Sequence, residues 1–103
     1  MTEDAARLTA TTDLTRRQRM DVEGVILDQR GVRAFQQKRY KQSVAYFDAL
    51  ERLTGSMRRD LAIMRAYAYL EMGQTQTARA HFRSLHKQFP TPETRRGLRA
   101  TRG

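Results

Sequence analysis

The chain has 103 residues, 39% of them hydrophobic, no cysteine and a formal net charge of +9. A single domain with a modest core is all that length provides, and the lack of cysteine removes disulfides and thiolate metal sites and fits a reducing interior such as the cytoplasm. No apolar run approaches the roughly 18 residues of a membrane span, and the first twenty residues lack the apolar stretch of a secretory signal.

Residues 1–13 are polar, threonine-rich and without period, which predicts a loose tail ahead of a helical domain over 14–103. A helical period then starts, with Asp13 or Thr15 as N-cap. Val22, Val25, Ile26, Val32 and Phe35 recur at spacings of three, four and seven, as one apolar side would require. "QKRY" predicts a break near Lys38. A second helix carries Tyr40, Val44, Phe47 and Leu50, and Gly55 suits its C-terminal cap, with Ser56 capping the next start. The third helix runs through Leu61, Met64, Ala68 and Leu70 to Gly73. A fourth carries Ala78, Phe82, Leu85 and Phe89 until Pro90 stops it. Thr91 and Pro92 then read as the cap and first turn of a short fifth helix, about 92–99. No segment alternates like a strand, so the fold class is all-α. Short connections between short helices predict antiparallel helix hairpins packed side by side.

Shifting the chain by 35 residues lays it partly on itself. Gly31 falls on Ala66, Phe35 on Leu70, Ser43 on Ala78, Phe47 on Phe82 and Leu50 on Leu85. Small residues recur where helices must approach closely, and large ones recur where the gap between them must be filled. In Asp60–Pro90 the series Ala66, Tyr69, Gly73, Ala78, Phe82 and Pro90 resembles a tetratricopeptide repeat (TPR). In Gly24–Gly55 the residues Gly31, Tyr40, Ser43 and Phe47 fit the same pattern. There Lys38 stands at the turn glycine and Gly55 replaces the final proline, while Arg30 and Arg65 occupy positions that are usually apolar. The resemblance implies a right-handed solenoid with repeat 1 at about 24–55, repeat 2 at about 59–90 and a C-terminal helix.

In such proteins the first helix of each repeat lines a concave groove that holds a peptide or helix of a partner protein. Carried over residue by residue, the resemblance selects Val25, Asp28, Val32, Phe35 and Gln36 in repeat 1, and Asp60, Ile63, Tyr67, Leu70 and Glu71 in repeat 2. The implied groove is apolar with a few acids. Family members that clamp a C-terminal carboxylate place Lys, Arg and Asn on these helices, so this chain departs from that variety. It is closer to a small adaptor or chaperone that shields a partner segment, for example within a secretion or envelope assembly. Repeat arrays usually need about three units for stability, so a homodimer or heterocomplex covering the groove is expected.

Two other function classes are weighed against this one. The charge of +9 invites nucleic acid or an anionic surface, with Arg95, Arg96, Arg99 and Arg102, plus Arg33, Lys38, Arg39 and Lys41, as contacts. No aromatic residues are interleaved with the C-terminal arginines as a stacking platform requires. An enzyme finds little support. His81 and His86 lie five apart on one helix and point about 140° away from each other, so they cannot share a metal. Phosphate-loop and His-Glu-x-x-His motifs are missing. No catalytic residue, cofactor or metal is expected.

Overall fold

A computed structural model describes the backbone of residues 2–102 and the side chains of residues 16–102. Five helices follow one another: α1 (Thr2–Gln36), α2 (Tyr40–Thr54), α3 (Arg59–Glu71), α4 (Thr75–Gln88) and α5 (Pro92–Ala100). There is no strand among the described residues. Each helix packs on its neighbour in sequence, and α1 also touches α3. Two α-hairpins therefore stand in a row, closed at one end by α5.

Helix α1 begins at Thr2, well before the start expected near Asp13 or Thr15, and it absorbs residues 2–13 of the expected tail. Alanine, leucine, arginine and glutamate are good helix formers, and no Gly or Pro interrupts this segment. Propensity alone can carry a helix where apolar period is missing. At 1.5 Å per residue α1 is about 52 Å long. It accounts for most of the 68 Å long axis of a molecule only 28 by 18 Å across.

The expected apolar side of α1 is also corrected. Val22, Val25 and Ile26 are exposed, and the side against α2 is Gly24, Leu27, Gly31 and Ala34, spaced three, four and three apart. Small residues face α2 because its phenylalanine must fit there. A Cβ on Gly31 would lie 2.5 Å from the Phe47 ring, so only hydrogen permits this approach. The Ser43 hydroxyl, fully buried, donates to the Gly31 carbonyl oxygen at 2.8 Å and ties the helices at the same point.

The two hairpin turns are copies 35 residues apart. Lys38 has φ 63° and Gly73 has φ 79°, both left-handed. Arg39 N–H donates to Ala34 O at 2.8 Å, and Gln74 N–H to Tyr69 O at 2.9 Å. This six-residue closure satisfies the carbonyls that a helix end leaves open. Gly55 closes α2 in the left-handed region as expected, its N–H on Glu51 O. Ser56 does not cap α3, since the cap position is Arg58. At α5 the expectation holds. Thr91 Oγ1 accepts from Thr94 N–H and the Thr94 hydroxyl accepts from Thr91 N–H, with Pro92 in the first turn.

Two packed clusters form the core. Phe47, Leu50 and Leu61 are joined by Leu27, Val32, Met57 and Met64; Ala66, Ala78 and Phe82 are joined by Ile63, Tyr67, Tyr69, Leu70 and Leu98. Fully burying one such leucine or phenylalanine stabilises by about 1.5–3 kcal/mol. The arginine-rich α5 packs inward, burying Thr94, Gly97 and, just past its end, Thr101, and a Cβ on Gly97 would meet the Phe82 ring at 2.3 Å.

Candidate functional site

The ten residues proposed for the groove lie on α1 and α3, and the structure divides them by depth. Val25, Gln36, Asp60 and Glu71 are exposed, and Asp28, Val32, Phe35, Ile63, Tyr67 and Leu70 are half-buried. None is sealed. Several of the half-buried group also brace the core. The Phe35 ring meets Tyr40 edge-on at 5.5 Å beside the first turn, and Tyr67 meets Phe82 edge-on at 4.8 Å. Val32 packs on the first cluster, and Ile63 and Leu70 pack on the second. Each of these side chains thus has one side in the hairpin core and another toward solvent.

Two clefts flank the start of α3. One, of about 400 Å³, is lined by Val25 and Asp28 together with Met20, Gly24, Leu50, Leu61 and Arg58. The other, of about 600 Å³, is lined by Asp60 and Ile63 together with Arg59, Phe89, Pro92, Glu93 and Arg96. Val32, Phe35, Gln36, Tyr67, Leu70 and Glu71 line neither of them. Four of the ten thus fall in these clefts on either side of α3, Val25 and Asp28 in one and Asp60 and Ile63 in the other.

Arginines at the start of α3 fix both clefts. Arg58 donates to Asp60 at 3.0 and 3.1 Å and reaches Asp28 of α1 at 3.1 Å. The ion pairs are exposed, so they position the side chains more than they stabilise the fold. Hydrogen bonding to Arg58 holds the Asp60 carboxyl below its ordinary value. Arg59 donates to the carbonyl oxygens of Leu85 and Phe89 at the end of α4, and its guanidinium lies 5.6 Å over the Phe89 ring. Phe89, itself 65% exposed, was read from the sequence as part of the α4 stripe; it stands outside the core as a wall of the second cleft. A cation over an aromatic face and the helix-end carbonyls that Arg59 reaches are the reasons for that placement, and sequence periodicity reports neither.

The sequence also gave no role to Arg65, which is buried. It donates to Asp48 at 2.9 Å and to both oxygens of Glu51 at 3.3 Å, joining α3 to α2, while its Nε has no partner. Only the tertiary pairing makes an arginine acceptable at an apolar position. His81 stacks on Tyr69 with centroids 5.2 Å apart, and burial followed by the Arg65 charge holds it below the ordinary imidazole value. His86 Nδ1 lies 2.8 Å from the buried Thr94 hydroxyl. Both histidines are thus engaged in helix packing, not displayed at the surface. Among the described residues no group of three or more His, Asp or Glu is placed to hold a metal ion. The alternative anion contacts Arg95, Arg96, Arg99 and Arg102 are all exposed on or just beyond α5, as are Arg33, Lys38, Arg39 and Lys41 near the first turn.

Comparison with known proteins bears on the second hairpin. A family model described as Tetratricopeptide repeat matches residues 62–92. That span contains Ala66, Tyr69, Gly73, Ala78, Phe82 and Pro90, and it lies in an all-helical chain whose first turn repeats the geometry of the second. The chain is a TPR-like protein. Neither a curated protein nor a solved structure matches it. The TPR points to a protein–protein interaction module, and no helix among the described residues is long and apolar enough to cross a membrane.

Proposed function

We propose that this TPR-like chain is a cytoplasmic adaptor or chaperone that holds a helix or extended segment of a partner protein along the concave side of α1 and α3. Repeat 1 spans about 24–55, repeat 2 about 59–90, and a terminal helix follows. The observation that carries this reading is the two-sided placement of Val32, Phe35, Ile63, Tyr67 and Leu70, which brace the hairpins yet keep apolar surface in contact with water. Covering even a few of these at about 25 cal/mol per Å² would contribute several kcal/mol, before the cost of ordering the guest. Either recognition of a helix in the groove or capture of an extended segment fits a surface of this shape. An export substrate or a component of an envelope assembly is a guest of this kind, and a homodimer is a second way of covering the same side.

Affinity capture from the native host followed by mass measurement of the intact complex identifies the guest. Phe35→Glu with Tyr67→Glu should abolish capture at unchanged helical content. Because Tyr67 also supports Phe82, the pair Gln36→Arg and Glu71→Arg, both exposed, serves as a second test that leaves the core untouched. Capture that survives both pairs would refute the groove.

A second reading has its own observation. Gly97, Thr94 and Thr101 turn one face of α5 inward, which leaves Arg95, Arg96, Arg99 and Arg102 on the outer side. Binding of nucleic acid through this stripe would weaken steeply with salt, with a log–log slope of about −0.9 per contacted duplex phosphate. A flat salt response dismisses it.

A further inference from the structure

The 35-residue translation carries information about a face that the groove does not use. On α3, Leu61 and Arg65 face backwards onto α2. Leu61 is 2% exposed in the cluster with Phe47 and Leu50, and Arg65 is held by Asp48 and Glu51. Counting 35 residues back gives Ile26 and Arg30 on α1. Ile26 is 39% exposed, Arg30 is exposed, and no acid among the described residues is paired with it. Met57, packed on the same cluster, has its counterpart in Val22, which is 56% exposed. Val22, Ile26 and Arg30 are spaced four apart and share one side of α1. The surface that α3 buries on the preceding helix is thus repeated on α1, where it meets solvent.

We propose that this flank of α1 is a second docking surface, which takes a helix of a partner protein bearing the α2 pattern: two carboxylates three residues apart beside a phenylalanine and a leucine. The chemistry is fixed by the interface already present once within the molecule. Arg65 shows what a guanidinium at this register requires, and Asp48 and Glu51 show how a helix supplies it. A second copy of the chain does not meet the requirement. Its α2 is covered by its own α3. On α4 the positions corresponding to Asp48 and Glu51 are Arg83 and His86, which offer Arg30 no carboxylate. The surface is independent of the groove, since none of Val22, Ile26 or Arg30 belongs to it.

The probe is a peptide of the sequence Tyr40–Thr54, bridged between positions 42 and 49 to hold it helical, and titrated into the full 103-residue chain. At 3.6 residues per turn positions 42 and 49 lie at least about 100° around the helix from Asp48 and Glu51, so the bridge leaves the acidic side free. Binding should shift the amide resonances around Val22, Ile26 and Arg30. Ile26→Glu should abolish it, and Arg30→Glu should weaken it at least tenfold. A peptide with Asp48→Lys and Glu51→Lys should restore binding to the Arg30→Glu protein. The exposed positions of both substitutions leave the fold intact, which circular dichroism checks. Absence of binding, shifts centred on Leu61 and Arg65 through displacement of the native α2, or indifference to the charge swap would each overturn the proposal. So would a concentration-dependent dimer abolished by Ile26→Glu, since a second copy would then be the occupant.

Discussion

The two hairpins share a plan but place their one missing side chain differently. In the first, the Phe47 ring presses on Gly31 of its own hairpin; in the second, the Phe82 ring presses on Gly97 of the following helix. Ala66, the counterpart of Gly31, has a Cβ, so the space that the first hairpin finds inside itself the second finds in α5. A core at crystal-like density must yield somewhere to a phenylalanine, and either neighbour can be the one to yield. The lesson is that the large residue is repeated while its small partner is decided by which helix comes closest.

The largest expected effect comes from filling these gaps. Gly31→Ala and Gly97→Ala each force a Cβ to within 2.5 Å of a buried ring, at a cost of about 1–3 kcal/mol or somewhat more. Denaturant unfolding with unchanged m-value measures it. Phe47→Leu should relieve the first variant and not the second, and Phe82→Leu the reverse. Relief in the wrong pairing would show that the two rings do not sit as described.

Next is the ion cluster between hairpins. Replacing Asp48 and Glu51 with Asn and Gln leaves the Arg65 charge without a compensating anion and should cost about 1–2 kcal/mol, less than a fully buried pair would lose because the acidic side chains are partly open to water. Arg65→Met should cost less than that, because both carboxylates are more than two-fifths exposed and can be hydrated. Equal losses would mean that the pairing, and not the burial of one charge, dominates.

The turns come third. Lys38 adopts a left-handed conformation that costs a residue with a Cβ about 1–2 kcal/mol, whereas Gly73 adopts it freely. Lys38→Gly should therefore raise stability by up to about 1 kcal/mol. Gly73→Ala should lower it by a similar amount, with no steric term because nothing lies within 4 Å. Thermal melts of both variants decide the matter, and two shifts of the same sign would contradict the matched turns.

The smallest effect is that of pH. His81 is held below the ordinary value of 6.5 by burial and then by Arg65, against the opposing pull of Asp48 and Glu51. The folded chain therefore binds this proton less readily than the unfolded chain. Stability is intact above about 6.5 and declines as pH falls through the folded value. His81→Gln should flatten that decline; an unchanged slope would assign it elsewhere. The first hairpin, with Tyr46 at the corresponding position, has no equivalent group.

Much of the fold is legible in the order of residues. Gly55, Gly73, Pro90 and the Thr91–Pro92 pair end or start helices through local backbone preferences, and the Ser43/Ala78 and Phe47/Phe82 pairs announce a repeat. The depth of the proposed groove residues is less legible, because Phe35 and Tyr67 look alike whether they line a surface or brace a core. Their edge-on contacts with Tyr40 and Phe82 show them bracing the core while still meeting solvent. The buried side of α1 is not its apolar one, because apolar period marks the residues that want burial, and here Gly31 and Ala34 are buried for their small size.

By itself the sequence determined the helices, their turns and the repeat, since caps, left-handed glycines and spacing act within a few residues of the chain. Only the tertiary structure decided that Arg65 lies between helices and Arg30 in water, that Phe89 stands outside and Gly97 inside. Those outcomes depend on which helix lies opposite, and the same residue at the same register is buried or bare according to whether a helix is packed on it.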